Sequence, residues 1–386
     1  MRKSALFWFG LVVTVLVALG LVVLSSASEA NAMRLHQGDA YFFIKRQFAY
    51  LAAGIVLAVL VTLFDYRKWR DYEFLAWMFF AVVMVLLVAV FGFRAINGSH
   101  RWIALGPLRL QPSEFAKLLT VILLSVWLDK SSWGVELFMR GSFWPAVLIG
   151  VIAAPVLLEP DFGSVMVIGA VGFLLMFVAG TRILHLLPFL IAGVAVVAVK
   201  VLTNANRMAR MAAFFGVKIR IGAEVVDEAA NRAAYQAEQA LAAIGNSEIW
   251  GVGLGESMQK HLYLPEAHTD FIFAVGAEEL GIVFSISVVL LFVAFFVLSV
   301  YIARKAVDRF GRFLVIGMAF IIFFQAMFNI GVVCKALPTK GMALPFFSYG
   351  GTNLLSAFFA VGTILSVGIH SYRERRHAIV RKVVMR

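Results

Sequence analysis

Ten apolar stretches that are almost free of charged residues constrain the fold of this 386-residue chain more than any other feature. They cover residues 5–24, 47–64, 74–93, 118–128 (extendable back to Pro112), 141–158, 162–180, 183–199, 280–303, 313–333 and 353–369. Most approach the roughly 20 residues that a helix needs to cross a bilayer. Hydrophobic residues make up 62% of the chain and charged residues only 15%, which excludes an ordinary soluble globule. The sequence therefore predicts an all-α, polytopic membrane protein with ten transmembrane helices in one domain, residues 1–386.

The first stretch has a second interpretation, a cleaved signal peptide. Arg2 and Lys3 precede it, and the small residues SSASEANA follow it. Its apolar core is longer than the roughly 7 to 15 residues usual in signal peptides, so we expect a retained membrane anchor.

Lysine and arginine are unevenly distributed between the predicted loops. With the N-terminus inside, the inner segments carry 18 of these residues and the short outer loops carry 8. This bias follows the positive-inside rule and predicts that both termini are cytoplasmic, including the basic tail at 371–386. A large extracytoplasmic loop, residues 203–265 between the seventh and eighth helices, is long enough to escape the rule.

The formal net charge of +12 raises the question of nucleic-acid binding. The inner basic residues are spread over short loops and the tail, where membrane topology and anionic lipids account for them. We therefore expect no nucleic-acid partner. The single cysteine, Cys334, permits no internal disulfide.

Departures from the helical pattern fall in the predicted outer loops. Residues 94–111 contain Gly98, Gly106 and Pro107, which interrupt a helix, and Pro112 then suits the first position of a helix. Residues 335–352 hold two prolines and several glycines, and we expect an ordered, partly re-entrant loop there. Residues 227–244 predict a surface helix capped by Asp227. This helix either lies on the outer face of the bundle or moves as a lid over a substrate.

Asp270 is the charged residue that the sequence singles out most clearly. It lies at the mouth of a predicted membrane helix, where an ionisable side chain is energetically costly unless it is used. As an alternative it caps that helix, and the two roles are compatible. Glu278 and Glu279 follow just before Gly281, where they take part in the chemistry, lie in a helix break, or extend their charged ends to the membrane surface.

Glu114 and Lys117 stand three residues apart at the start of the fourth predicted helix. They share one helix face and can form an ion pair. The alternative to a chemical role is an internal salt bridge that fixes the helix. Asp161, in a short outer turn, is expected to cap the sixth helix.

Several other patterns argue against rival functions. His261 and His268 form no zinc-binding motif, and GVGLG at 251–255 is a weak match to a nucleotide fingerprint because it follows no predicted strand. The central parts of several spans carry no ionisable residue, which disfavours an ion-coupled transporter.

Four segments together resemble the SEDS family of bacterial cell-wall proteins, in the order in which that family has them. They are GSHRWIALGPLRLQPSEFAKL (98–118), LEPDFGS (158–164), YLPEAHTDFIFAVGAEELG (263–281) and LPTKGMALPFFSYGGTNLL (337–355). The LPTKG sequence is similar to the division-associated FtsW branch. Thr352 and Asn353 stand where the family often has two serines.

The resemblance implies a peptidoglycan glycosyltransferase of the bacterial cytoplasmic (inner) membrane. Its implied substrate is lipid II, and its implied partners are a class B penicillin-binding protein and divisome membrane proteins. The residues that match its functional positions are Asp270 as the essential aspartate, Glu114 and Lys117 as the buried pair, Ser348 as the loop serine, and Arg101 and Lys340 as the basic outer positions.

The residue chemistry is compatible with this function. Joining two lipid-linked sugars needs a base and positive charge for a departing pyrophosphate. Asp270 either acts as that base or holds a divalent cation, magnesium or manganese, as a cofactor. Two other classes stay open: a lipid II flippase, and a non-catalytic membrane scaffold for a penicillin-binding protein.

Overall fold

The computed structural model describes residues 3–35, 38–94, 99–106, 108–215, 225–260 and 264–384, and the chain is almost entirely helical. Its helices are α1 (Lys3–Leu35), α2 (Phe42–Leu63), α3 (Lys68–Asp71), α4 (Glu73–Ala89), α5 (Pro112–Lys130), α6 (Trp144–Leu158), α7 (Phe162–Ala179), α8 (Ile183–Leu202), α9 (Ala205–Phe215), α10 (Val225–Gly245), α11 (Ile272–Arg304), α12 (Arg309–Val333) and α13 (Gly351–Val384). A 3₁₀ turn (Val90–Gly92) extends α4, and a π-helical turn (Met139–Phe143) leads into α6.

Each predicted apolar stretch contains a helix, but in the described part of the chain nine helices are long and apolar enough to cross a membrane. The exception is α5, which carries two charged residues at each end: Glu114, Lys117, Asp129 and Lys130. Nearly all of its residues are buried among other helices. The charged ends of α5 have partners within the protein, since Lys117 pairs with Glu114 and Lys130 with Glu73. The structure therefore supports a polytopic helical protein, and the count of ten spans stays a prediction.

The first helix is an integral part of the core. Phe9, Leu16 and Val23 on α1 are completely buried. Gly20 lies so close to the backbone of Phe346 that a Cβ atom there would overlap its carbonyl oxygen. This packing supports the retained anchor rather than the signal peptide.

One end of the bundle, which we call the site end, gathers the predicted outer loops. Here α5, α7, α11 and α13 begin and α12 ends. A short antiparallel hairpin, which the all-α prediction did not include, pairs β1 (Ile103–Leu105) with β2 (Leu108–Leu110). Pro112 is the first residue of α5, as predicted.

The predicted surface helix is present as α10. It begins at Val225, so Asp227 lies inside the helix, and the predicted cap at Asp227 was wrong. Its small residues Ala237, Ala240 and Ala243 are buried against neighbouring helices. This packing favours a helix fixed on the bundle over a moving lid.

Helix α11 is broken at Gly281, which has a φ of 81° and a ψ of −173°. A loop of residues 248–253 enters the break and binds both sides of it. Val252 N donates to Glu278 O at 3.0 Å, and Ile282 N donates to Glu248 O at 3.1 Å. Backbone groups freed within a membrane protein need such partners. Of the alternatives that the sequence left open for Glu278 and Glu279, the helix break is therefore present, and the first segment of α11, residues 272–280, is a separate short helix.

At the opposite end of the bundle, charged side chains pair with one another. Arg67 pairs with Glu374 and lies 3.6 Å from Asp308. Arg70 lies 3.7 Å from Asp308 and 3.9 Å from Asp129. These pairs connect Arg67 and the short helix α3 with α5, α12 and α13.

Candidate functional site

Asp270 lies two residues before α11 and does not cap it. The N-cap position belongs to Phe271, and no side chain caps the helix there. The Asp270 carboxylate instead faces the loop 335–350, so close to Gly341 that a Cβ atom on that glycine would overlap its Oδ2. The predicted capping role was therefore wrong, and the carboxylate is not engaged by its own helix.

The backbone around Asp270 is fixed by three consecutive hydrogen bonds from the 335–350 loop and α12. His268 O accepts from Tyr349 N at 3.0 Å, Thr269 O from Ser348 Oγ at 2.5 Å, and Asp270 O from Asn329 Nδ2 at 2.7 Å. Each bond joins segments distant in sequence. Together they fix the backbone position from which the Asp270 side chain extends.

Ser348 has two protein partners. Besides donating to Thr269 O, its buried hydroxyl accepts from Leu344 N at 2.7 Å. Asn329, which sequence reasoning missed, also donates to Met342 O at 2.6 Å and so joins Asp270 to the loop. Asn329 and Gln325 are the polar side chains within the apolar stretch 313–333, and this was the available signal.

The surroundings of Asp270 favour its protonated form. Burial and, second, the nearby Glu266 raise its pKa to about 7, against the opposing influence of Arg210 and Arg101. Burial disfavours a charged carboxylate because water no longer solvates it. A carboxyl with this pKa can take up and release a proton near neutral pH.

Arg101 holds the turn that precedes α7. Its Nε donates to Glu159 O at 3.2 Å and its Nη2 to Pro160 O at 2.5 Å. In that turn Asp161 accepts from Ser164 N at 3.4 Å, which confirms the predicted cap. Burial would raise the pKa of Asp161, but Arg101 and Lys340 hold it below the usual value.

Lys340 and Arg207 contact the same aromatic ring. Lys340 Nζ lies 5.4 Å and Arg207 Cζ 4.0 Å from the centre of the Phe162 ring. Burial lowers the pKa of Lys340 to about 7; Asp161 opposes this shift, whereas nearby arginines reinforce it. Cation–π contacts of this kind help to retain positive charge at a partly buried site.

We call Arg101, Arg207, Arg210 and Lys340 the basic cradle. Their charges act on one another, and those of Arg101 and Arg210 act on Asp270. Among the described residues, no carboxylate lies within 4.0 Å of a cradle nitrogen. Sequence reasoning missed Arg207 and Arg210, although their spacing on the amphipathic α9 was a visible signal.

The pair of Glu114 and Lys117 forms as predicted. Lys117 Nζ donates to Glu114 Oε1 at 2.7 Å, and both side chains are buried. Ser356 on α13 donates to the other oxygen of Glu114 at 2.9 Å. The charge of Lys117 also acts on Asp161, helping to hold its pKa below the usual value. The pair therefore ties α5 to α13 near the basic cradle.

The remaining candidates lie around this centre or apart from it. Thr352, where the family often has serine, donates to Arg109 O at 2.9 Å and accepts from Gln111 N at 3.1 Å, so a hydroxyl is retained. Glu278 and Glu279 are buried away from the cradle, against Ser257 and Lys260. His261 lies outside the described residues.

A cavity of about 360 Å³ opens between α4, α5 and α6. Its lining includes Trp77, Trp127 and Lys130, all near the opposite end of the bundle. This cavity does not reach the basic cradle and is not part of the candidate site. Within the described residues, no three His, Cys, Asp or Glu side chains come together in a way that would hold a metal ion.

The fold and the site define a polytopic helical membrane protein with a carboxyl group and a basic cradle at one end of its bundle. The chain belongs to the FtsW/RodA/SpoVE family, described as cell cycle proteins, whose sequence profile matches residues 6–373.

Curated relatives match over almost the whole chain. A probable peptidoglycan glycosyltransferase FtsW of Geobacter metallireducens is 36% identical over 358 residues, which cover 92% of each chain. A protein of the same description from Escherichia coli O6:H1 is 35% identical over 388 residues, covering 99% of this chain and 89% of that protein.

Solved structures agree with the fold. A chain from work on structural coordination of polymerization and crosslinking by a peptidoglycan synthase complex has a TM-score of 0.74 and 27% identity, covering 95% of this chain and 98% of that chain. The rod shape determining protein RodA of Thermus thermophilus has a TM-score of 0.68 and 27% identity, covering 95% and 97%.

Proposed function

We propose that this protein is a peptidoglycan glycosyltransferase that polymerises lipid II into glycan strands at the outer face of the bacterial cytoplasmic membrane during septal cell-wall synthesis. The relatives named peptidoglycan glycosyltransferase FtsW support the activity and the septal role. The observation that carries the proposal is structural. The Asp270 carboxyl, with a pKa of about 7, lies in the field of a basic cradle that has no carboxylate partner among the described residues.

The proposed topology has ten spans and both termini in the cytoplasm. Among the described residues nine helices are long and apolar enough to cross a membrane, and we assign the buried α5 as the tenth span. The bias of basic residues towards the other loops supports an outward-facing site end. The basic cradle then faces the side on which a growing glycan strand accumulates.

In the proposed reaction a sugar hydroxyl of one lipid-linked molecule attacks the anomeric carbon of another. A new C–O bond forms, the bond to the pyrophosphate breaks, and the hydroxyl proton passes to Asp270. A base is most effective when its pKa is near the working pH, and that of Asp270 meets this condition. The three bonds to the carbonyls of residues 268–270 hold the base in place before the substrate arrives.

The departing pyrophosphate gains negative charge as the glycosidic bond forms. We assign its stabilisation to the basic cradle, with Arg101 and Lys340 as principal ligands. Arginine presents a planar set of donors that suits phosphate, and lysine supplies a point charge. Because Lys340 has a pKa of about 7, an arriving anion would draw it fully into its charged form.

A divalent cation, magnesium or manganese, is the alternative to the base role, because a carboxylate that holds a cation is not free to take the proton. The described residues offer no ready set of three ligands, so the protein would contribute chiefly Asp270. Magnesium is commonly held by one or two carboxylates together with substrate phosphates, and lipid II brings those phosphates. A bound cation would neutralise developing charge on the pyrophosphate.

The proposed partners are a class B penicillin-binding protein and other membrane proteins of the division machinery. The solved peptidoglycan synthase complex supports the first of these, because its description couples polymerization with crosslinking. A shared complex would pass each new glycan strand directly to a transpeptidase.

The test is polymerisation of labelled lipid II by the purified protein, with and without its transpeptidase partner. We expect glycan strands from the wild type and none from Asp270→Asn. Movement of lipid II across a vesicle bilayer without polymerisation would identify a flippase. Strands made only by the partner, and made equally well with Asp270→Asn, would identify a scaffold.

A further inference from the structure

A second buried polar cluster lies beside the break in α11, apart from the basic cradle. Lys260 Nζ is 3.2 Å from Glu279 Oε1, and the two side chains are 2% and 0% exposed. Ser26 on α1 donates to the same Glu279 oxygen at 2.6 Å and accepts from Lys260 Nζ at 3.0 Å. Lys260 also donates to Gly255 O. The cluster thus joins α1, the 248–260 loop and the first segment of α11.

Packing alone does not require charged side chains at this position. Burying an ion pair removes two charges from water, and apolar side chains of similar volume often stabilise a fold as well or better. Its geometry, however, is specific, because the three oxygen partners of Lys260 Nζ are Ser26 Oγ on α1, Glu279 Oε1 on α11 and Gly255 O in the loop. A second tie beside it, from Ser257 to Glu278, fixes the same helical segment.

The segment that these ties hold is the one that presents Asp270. Residues 272–280 form a short helix that starts two residues after Asp270 and ends just before Gly281. The break separates this segment from the long membrane span, so the span alone does not fix it. Seven residues separate Ile272 from Glu279, or roughly 10 Å at 1.5 Å per residue. A tilt at the Glu279 end therefore displaces Asp270 at the other end.

We propose that Lys260 and Glu279 are positioning residues for Asp270. Their ion pair, with Ser26, locks the first segment of α11 so that the Asp270 carboxylate stays against Gly341 and within reach of the basic cradle. Neither residue contacts the cradle, so their effect passes through the helical segment. The proposal rests on the proposed function, in which Asp270 is the base.

The experiment compares four variants with the wild type in lipid II polymerisation. They are Lys260→Met, Glu279→Gln, the apolar pair Lys260→Met with Glu279→Leu, and the conservative Lys260→Arg. We expect the first three to lower kcat by about tenfold to a hundredfold, the usual scale for a misplaced catalytic group. The KM for lipid II should stay within about twofold, because the basic cradle is untouched. Lys260→Arg should restore most of kcat, because it can still pair with Glu279.

Thermal unfolding and amide hydrogen exchange separate positioning from a purely structural role. The apolar pair leaves no unpaired charge and is expected to unfold near the wild-type temperature while kcat stays low. Amides of residues 272–280 should exchange faster in this variant, whereas those of residues 285–300 should not change. The control is Lys130→Met with Glu73→Gln, which removes a partly exposed ion pair at the opposite end.

An apolar pair that recovers both wild-type stability and wild-type kcat would overturn the proposal, since the ion pair would then be only structural. An unchanged kcat in a folded Lys260→Met variant would also overturn the proposal. If the wild type itself makes no glycan, the proposed function fails. The exchange rates of residues 272–280 would still decide whether Lys260 and Glu279 hold that segment.

Discussion

Basic residues have carboxylate partners at the opposite end of the bundle and neutral partners at the site end. At the opposite end, Arg67 and Arg70 each lie beside carboxylates from other segments. At the site end, Arg101 donates to backbone oxygens and Arg207 lies over an aromatic ring. Within the described chain, the cradle cations have no carboxylate within ion-pair distance. Paired charges tie helices together, whereas cations fixed by neutral groups keep their charge available to an anion.

This difference has an energetic consequence. Neighbouring cations repel one another, and a bound anion would relieve that repulsion. A ligand that binds only the folded protein stabilises it in proportion to its affinity and concentration. Pyrophosphate carried by a lipid should therefore stabilise the site end and leave the opposite end unaffected.

The largest expected effect is that of Asp270→Asn. The amide has the size of the carboxyl but cannot take the proton, so polymerisation should fall by about a hundredfold to ten-thousandfold, the contribution of a general base. Asp71→Asn, an exposed carboxylate at the opposite end, should leave the rate unchanged. If both variants lose polymerisation of labelled lipid II to a comparable extent, Asp270 is not the base.

The second-largest effect is expected from breaking the buried ion pair of Glu114 and Lys117. Lys117→Met and Glu114→Gln each leave one buried charge unpaired, so each should lower the unfolding free energy by about 3–5 kcal/mol. The double variant should lose less than the sum of the two. Neutralising the exposed pair of Arg182 and Glu136 should cost about 1 kcal/mol or less. Strictly additive losses at positions 114 and 117 would show that the pair is not coupled.

Gly341→Ala should have a smaller effect that is confined to catalysis. The added methyl group would overlap the Asp270 carboxylate and push it aside, lowering kcat by roughly tenfold or more. Gly350→Ala is the control in the same loop, since its Cβ would meet Asn353 Cβ at an ordinary 3.7 Å. Equal rates for both alanine variants would show that Asp270 does not need its present position.

The smallest effects concern pH. Because the base must be ionised, the polymerisation rate should fall as the pH falls through about 7, the pKa of Asp270.

The stability of the folded protein should depend on pH in the opposite sense and fall as the pH rises. A carboxyl whose pKa is raised by folding favours the folded state while protonated, so its contribution is lost as the pH rises from about 4 to about 7. Asp270→Asn should therefore be at least as stable as the wild type at pH 8 by thermal unfolding, and clear destabilisation there would contradict the assigned environment.

Local features of the site could be predicted from the sequence. The cap at Asp161 needs only a backbone amide three residues later, and the pair of Glu114 and Lys117 needs only the helical repeat. The apolar stretches located the nine described helices that are long and apolar enough to cross a membrane, and also the buried α5, whose charged ends keep the predicted count of ten spans open.

Features that join distant segments could not be predicted in this way. The bond from Asn329 to Asp270 O spans 59 residues, and that from Ser348 to Thr269 O spans 79. The cap predicted at Asp270 failed for the same reason, because Gly341 leaves space for the carboxylate next to the distant loop. No local pattern reveals that the 248–253 loop enters the break in α11.

The most direct test of the central claim is to measure lipid II binding after removing one cation from each end. Arg101→Gln should raise the Kd by about tenfold to a hundredfold, the scale of a charge-assisted hydrogen bond to phosphate. Arg70→Gln should bind within about twofold of the wild type, because its charge is already matched by carboxylates. Wild-type affinity in a folded Arg101→Gln variant, or equal weakening in both, would contradict the assignment of the basic cradle as the pyrophosphate site.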